Sequence, residues 1–379
     1  MHIHGTIGND EHMSTETQIK HETENNEPKA VPINSGKISN GGFIVSKWYD
    51  IIWFIGAPSL ALLVAVIFLN SSLTEITITT QSDRGFGVID IFIGTFIMSH
   101  LFIVFFRSHG NSNIFALHPV RFVAIPILLI VSMTYSIWIL VTVSVIAIWW
   151  DVYHSAQQTF GLGRIYDMRI GNDAQAGRRL DHLLNTIIYL GPILAGASLM
   201  DHVYYFQEFQ MLGVQSIGTD LPSYIFNHRS ALTKIVLVIG IPFILYYLYA
   251  YWQLYKQGYV FSINKVILMA TTAFVSIFCW GFNTFGEAYF VMNFFHAWQY
   301  FAIVWAFEKK NITQLFGLSG VKNGQYFGLF IFVFIAIAYG LWATIHNNHT
   351  QFIHSLILTV SILHFWYDGF IWSVRKKQV

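Results

Sequence analysis

Apolar runs of about 20 residues, the length that crosses a bilayer, recur along the chain and are separated by short polar stretches. They lie near 47–70, 88–106, 121–138, 139–163, 181–200, 231–256, 263–283, 286–307, 325–346 and 352–373. The pattern predicts an all-α, polytopic transmembrane bundle of about ten helices. Residues 121–163 are almost uninterrupted in apolar character. As one helix at about 1.5 Å per residue they would reach twice the roughly 30 Å hydrocarbon core, so a tight turn is expected at Tyr135 to Trp138. Residues 1–42 are polar, rich in Glu, Asn, Thr and Lys, and predict a disordered tail ahead of a single transmembrane domain over 43–379. Nothing in that tail resembles a secretory signal, and Met13 is an alternative start. Residues 201–230, rich in aromatics, are expected to lie in the headgroup region of the outer face.

Charge orients this bundle. With the tail cytoplasmic, only Arg84, Arg229 and Lys234 of the 21 basic residues fall on the far side, the asymmetry of the positive-inside rule. Both termini are therefore expected in the cytoplasm, at a bacterial inner membrane. At 54% hydrophobic and 11% charged the chain is too apolar for a soluble domain, and a net charge of +1 offers no basic surface for nucleic acid. The one cysteine, Cys279, excludes a disulfide framework and a thiolate metal site. Histidine, at 16 residues, is the compositional outlier.

The histidines fall at one level. Counted back from the cytoplasmic ends of their predicted helices, His100, His154, His296 and His364 lie roughly 9 to 17 Å below that boundary. Asp151 precedes His154 by three residues and Asp368 follows His364 by four, so each pair shares a helical face. Gln158, Gln299 and Tyr300 add polar groups beside His154 and His296. An isolated intramembrane histidine usually serves as an interhelical hydrogen-bonding residue. Four at one level with two acidic partners point instead to a shared metal site, since intramembrane carboxylates are costly unless paired. The aspartates would act as ligands or would orient the imidazoles. His109, His118 and His182 sit at the cytoplasmic mouth and would supply further ligands if the loop between the second and third helices folds back. His202, His228, His346, His349 and His354 are read as interfacial residues.

Imidazole with carboxylate and no thiolate suits iron, with copper and zinc as alternatives. The expected function is a membrane metalloenzyme: a non-haem iron oxidase, oxygenase or hydroxylase, with a di-iron centre as one form of it, acting on a lipophilic substrate at the cytoplasmic side. Asp151, Asp368, Gln158 and Tyr300 are its catalytic candidates. Membrane lipids and an electron-donor protein are its expected partners. Arg164 and Arg169 most simply fix topology, with a second role in holding an acidic headgroup. Two further readings stay open: a haem-binding electron-transfer subunit with histidines as axial ligands, and a proton-coupled transporter in which Glu287 receives protons for a His–Asp relay.

The HxxxH and HxxHH boxes of membrane desaturases are missing from the sequence. The stretches "HSAQQTFG" from His154, "HAWQY" from His296 and "HFWYDGFIW" from His364 resemble segments of histidine-rich, polytopic bacterial membrane proteins. The resemblance covers three helices and brings no activity with it.

Overall fold

The computed structural model describes residues 40–69, 88–196, 221–283, 285–347 and 349–372. The expected tail up to residue 39, most of the outer loop (201–220, with His202), Arg84 and the terminal basic residues Arg375, Lys376 and Lys377 lie outside the described residues. Those described are helical, with no strand among them. In chain order the elements are α1 (Lys47–Asp50), α2 (Ala57–Leu69), α3 (Val88–Phe102), α4 (Val104–Ser108), α5 (Ser112–Leu117), α6 (Pro119–Tyr135), α7 (Ile137–Arg169), α8 (Arg178–Gly196), α9 (Leu221–Asn227), α10 (Arg229–Lys256), α11 (Ile263–Phe282), α12 (Phe285–Leu315), α13 (Gly324–His346) and α14 (Gln351–Ile371).

Among the described residues, five stretches are long and apolar enough to cross a membrane: Ile91–Ser108, Ile137–Arg169, Arg229–Lys256, Ile263–Phe282 and Gly324–His346. The pair Asn40–Ile55 and Ala57–Ile67, bent by 43°, would make a sixth. This is the pattern of an integral membrane protein. The outward face agrees: α10 buries only Gly240 and Tyr251, while Val238 is 71% and Leu245 63% exposed, an apolar surface that suits lipid and not water. α12 and α14 are not among these stretches because polar residues interrupt them, His296 and Gln299 in one and His364 and Asp368 in the other.

The turn expected at Tyr135 to Trp138 is a break at Ser136, whose backbone leaves the helical region (φ −132°, ψ 111°) and whose hydroxyl accepts from the Ile139 amide at 3.4 Å to cap α7. The run predicted as one helix over 47–70 is instead interrupted. A π turn over Ile51–Ile55 bends it, and the backbone carbonyls it releases are captured by side chains. Gln299 Nε2 donates to the Phe54 carbonyl at 2.8 Å and Trp298 Nε1 to that of Ile52 at 3.3 Å. Residues 40–42, assigned to the tail, form a turn whose Gly42 carbonyl accepts from Asn264 Nδ2 at 2.9 Å.

α3 and α13 pack against each other most extensively. Glycines bring them that close: a Cβ on Gly340 would overlap the Ser99 hydroxyl and the Thr95 carbonyl, and one on Gly94 would meet Thr344. His100 follows Ser99 directly, so this contact sets its depth and direction. Gly340→Val is expected to lower the unfolding temperature, by overpacking worth about 1–3 kcal/mol, and to displace His100. Thermal unfolding in detergent checks it; a midpoint equal to wild type would mean the two helices are not so close.

Candidate metal centre

α3, α7, α12 and α14 each carry one histidine to the interior. His100, His296 and His364 are fully buried and His154 is 5% exposed. The four rings meet edge to face, with centroids 4.7 Å apart for His154–His364, 4.8 Å for His154–His296, 5.1 Å for His100–His296 and for His100–His364, and 5.9 Å for His296–His364. The common depth read from helix ends thus becomes contact, because the four helices also turn these faces inward.

Among the described residues, the donor atoms fall into two overlapping groups. His100, His296 and His364 form one; His154, His364 and Asp368 form the other. Within each, all donors lie within 4.8 Å of one another. His154 Nε2 is 3.1 Å from His364 Nε2 and 3.6 Å from Asp368 Oδ2. Both ring nitrogens of His296 and Nδ1 of His364 are buried without a hydrogen-bonding partner, and the fully buried His100 ring is met by the backbone of Ile97. An unpaired buried polar group costs on the order of 1–3 kcal/mol, so a packed cluster of them is unfavourable unless it binds something. Neutral imidazole nitrogens with a carboxylate at this spacing fit a transition metal ion.

Asp368 is oriented from two sides. Tyr300 donates its hydroxyl proton to Oδ1 at 2.7 Å, Trp372 Nε1 donates to the same oxygen at 2.9 Å, and Oδ2 is left toward His154. Trp372 is held in turn by Arg107, whose guanidinium carbon lies 3.8 Å from the indole ring centre. Arg107 Nε and Nη2 donate to the Ile371 carbonyl at 3.1 and 3.0 Å, satisfying the last turn of α14, and Arg107 pairs with the buried Glu308. This chain of contacts was not read from the sequence, where Arg107 and Glu308 sit some 200 residues apart. Two opposite charges inside apolar segments were the available signal.

The other predicted site residues are placed differently. Asp151 belongs to neither donor group and accepts from the Tyr289 hydroxyl. Gln158 Nε2 donates to the His296 carbonyl at 3.0 Å and to Gln299 Oε1 at 2.9 Å, so the two amides clamp α7 to α12 behind the imidazoles. His109 does not reach the cluster: its Nδ1 is 2.8 Å from Ser108 Oγ, its Nε2 is 3.1 Å from the Phe122 carbonyl, and Phe105, Phe115 and Tyr367 surround it. His118 packs edge-on against Phe370 at 4.8 Å, and His182 against Phe160 at 5.3 Å. The loop after α4 therefore packs on aromatic side chains of α6 and α14 and adds no ligand to either group.

Arg164 is committed to a buried quartet. Its Nη1 pairs with Asp167 at 2.6 Å and with Asp181, while Lys265 Nζ reaches the same two carboxylates at 2.8 and 2.7 Å. Tyr259 donates to Asp167 at 2.6 Å and Tyr247 to Asp181 at 2.9 Å. Two cations and two anions cancel, and the remaining lone pairs are met by phenols, which is what a buried ion cluster requires. Arg169 is half-buried at the end of α7.

A cavity of about 550 Å³ adjoins the cluster between α7 and α14. His154, Asp368 and Tyr300 form its inner wall, Trp150, Phe365 and Trp366 line its flank, and Gln175, on the segment joining α7 to α8, and the exposed Arg178, at the start of α8, complete it. His100, His296 and His364 are not part of that wall. No protein-family model, curated protein or solved structure matches this chain.

Proposed function

We propose that the chain is a membrane metalloenzyme, a non-haem iron oxidoreductase acting on a lipophilic substrate. The observation that carries this reading is the cluster of buried imidazole nitrogens without partners, with His154 and Asp368 opening onto a cavity large enough for part of a hydrocarbon chain. The donor set, nitrogen and oxygen with no sulfur, favours iron over a thiolate-type zinc centre. Iron so held supplies one-electron chemistry. The chain's own residues bind and shield: the aromatic flank takes apolar substrate, the helices around it exclude water, and Tyr300 and Trp372 hold Asp368 toward His154. Arg178, at the mouth, suits an acidic headgroup. Ten spans with both termini in the cytoplasm remain the topology we propose, from the distribution of basic residues. That orientation opens the cavity toward the cytoplasmic leaflet, where an electron-donor protein would dock.

Elemental analysis and an absorption spectrum of the gently extracted protein test this reading together. Stoichiometric iron without a Soret band is the expected result. A metal-free protein would end the enzymatic reading and favour transport, and a Soret band would identify a haem subunit. The geometry weighs against haem at the closest pair, because His154 and His364 rings 4.7 Å apart leave no room for a macrocycle between them.

A further inference from the structure

We infer that the cluster holds two metal ions, with His364 as a ligand shared between them; the inference rests on the metal reading above. Only His364 belongs to both donor groups. On one side its Nε2 faces His154 Nε2 at 3.1 Å. Two ligand nitrogens each about 2.1 Å from a common ion stand about 3.0–3.4 Å apart at right-angle or tetrahedral geometry, so this separation is a ligand-to-ligand spacing. Asp368 Oδ2, 3.6 Å from His154 Nε2, makes the third donor.

On the other side, His364 Nδ1 and both ring nitrogens of His296 are buried with no partner, and the buried His100 ring is met by the backbone of Ile97. One ion at His154 and Asp368 would leave those donors unused. One ion among His100, His296 and His364 would leave His154 and Asp368, which do not join that group, unused. Two ions use both groups, and the bridging ring of His364 then binds through both nitrogens, releasing its N–H proton to solvent when the second ion enters.

Metal–nitrogen bonds of about 2.1 Å on either side of the ring put the ions about 6 Å apart, beyond the roughly 3.5–4 Å of pairs that share an oxygen bridge. The two positions also differ in access. His154 and Asp368 line the cavity, whereas His100 and His296 do not, so substrate reaches one ion and the other stays enclosed.

The test uses the full-length protein in detergent, stripped with chelator and reloaded with Cu(II). The expected content is two ions per chain, falling to one in His100→Ala and to one in Asp368→Asn. Electron paramagnetic resonance of the loaded wild type should show two interacting spins, a readout independent of how well any variant folds. One ion per chain with an isolated copper spectrum overturns the shared-ligand inference and leaves the metalloenzyme reading standing. Two ions retained in both variants also overturn it, since the ions would then sit elsewhere. No bound ion sinks both.

Discussion

Alanine at position 364 is expected to empty the centre of metal while leaving the helices in place. His364 contributes to both donor groups, and its ring touches those of His100, His154 and His296. Losing the residue that merely orients a metal ligand costs roughly 10–100-fold in affinity; losing a direct ligand common to both groups should cost at least about 100-fold. Metal content per chain, read beside the helical circular dichroism signal, measures it. His109→Ala is the control, because that ring is already occupied by Ser108 and the Phe122 carbonyl and should keep its metal. Full occupancy in His364→Ala would make residue 364 a packing histidine.

The second large effect belongs to Lys265. Lys265→Met should destabilise the protein by about 3–5 kcal/mol, the usual consequence of removing one partner from a buried ion cluster. Lys265 is 4% exposed, Asp167 is fully buried and Asp181 is 2% exposed, so Arg164 would be left alone with two carboxylates in an apolar surrounding. Adding Asp167→Asn restores neutrality and should return part of the loss, since it removes the surplus charge while keeping an acceptor for the Tyr259 hydroxyl. Unfolding in detergent by heat or denaturant gives the comparison. A single variant as stable as wild type would mean that water reaches the quartet.

The two results would separate parts of the molecule that the sequence presents alike. Lys265 and Arg164 count among the basic residues that orient the bundle; Arg164 and Asp167, three residues apart, share a helical face, but no spacing shows that Lys265 and Asp181 join them. The partners lie 98 and 17 residues away, on elements whose adjacency only packing creates. Spacing does not rank Asp151 against Asp368 either: each stands one helical turn from a histidine. Their difference is tertiary, because α12 offers Tyr289 to Asp151 but Tyr300 to Asp368, and of the two only Asp368 joins a donor group, with Oδ2 3.6 Å from His154 Nε2. The mouth histidines show the converse. His109 looks available by position, yet Ser108 at the end of α4 and the Phe122 carbonyl in α6 satisfy it first.

What the sequence determined by itself is whatever depends on periodicity and distance along one helix: apolar runs of spanning length, the break beside Ser136, and the common level of His100, His154, His296 and His364. These follow from rise per residue and from the cost of burying a polar backbone in lipid, which act locally. Rotation of each helix about its axis was left to the tertiary structure. It is set by side chains from remote segments, such as Gly340 admitting Ser99 and Gln299 catching the carbonyl of Phe54. That rotation decided which imidazoles face one another, which carboxylate joins them, and which ring stands at the centre of the group.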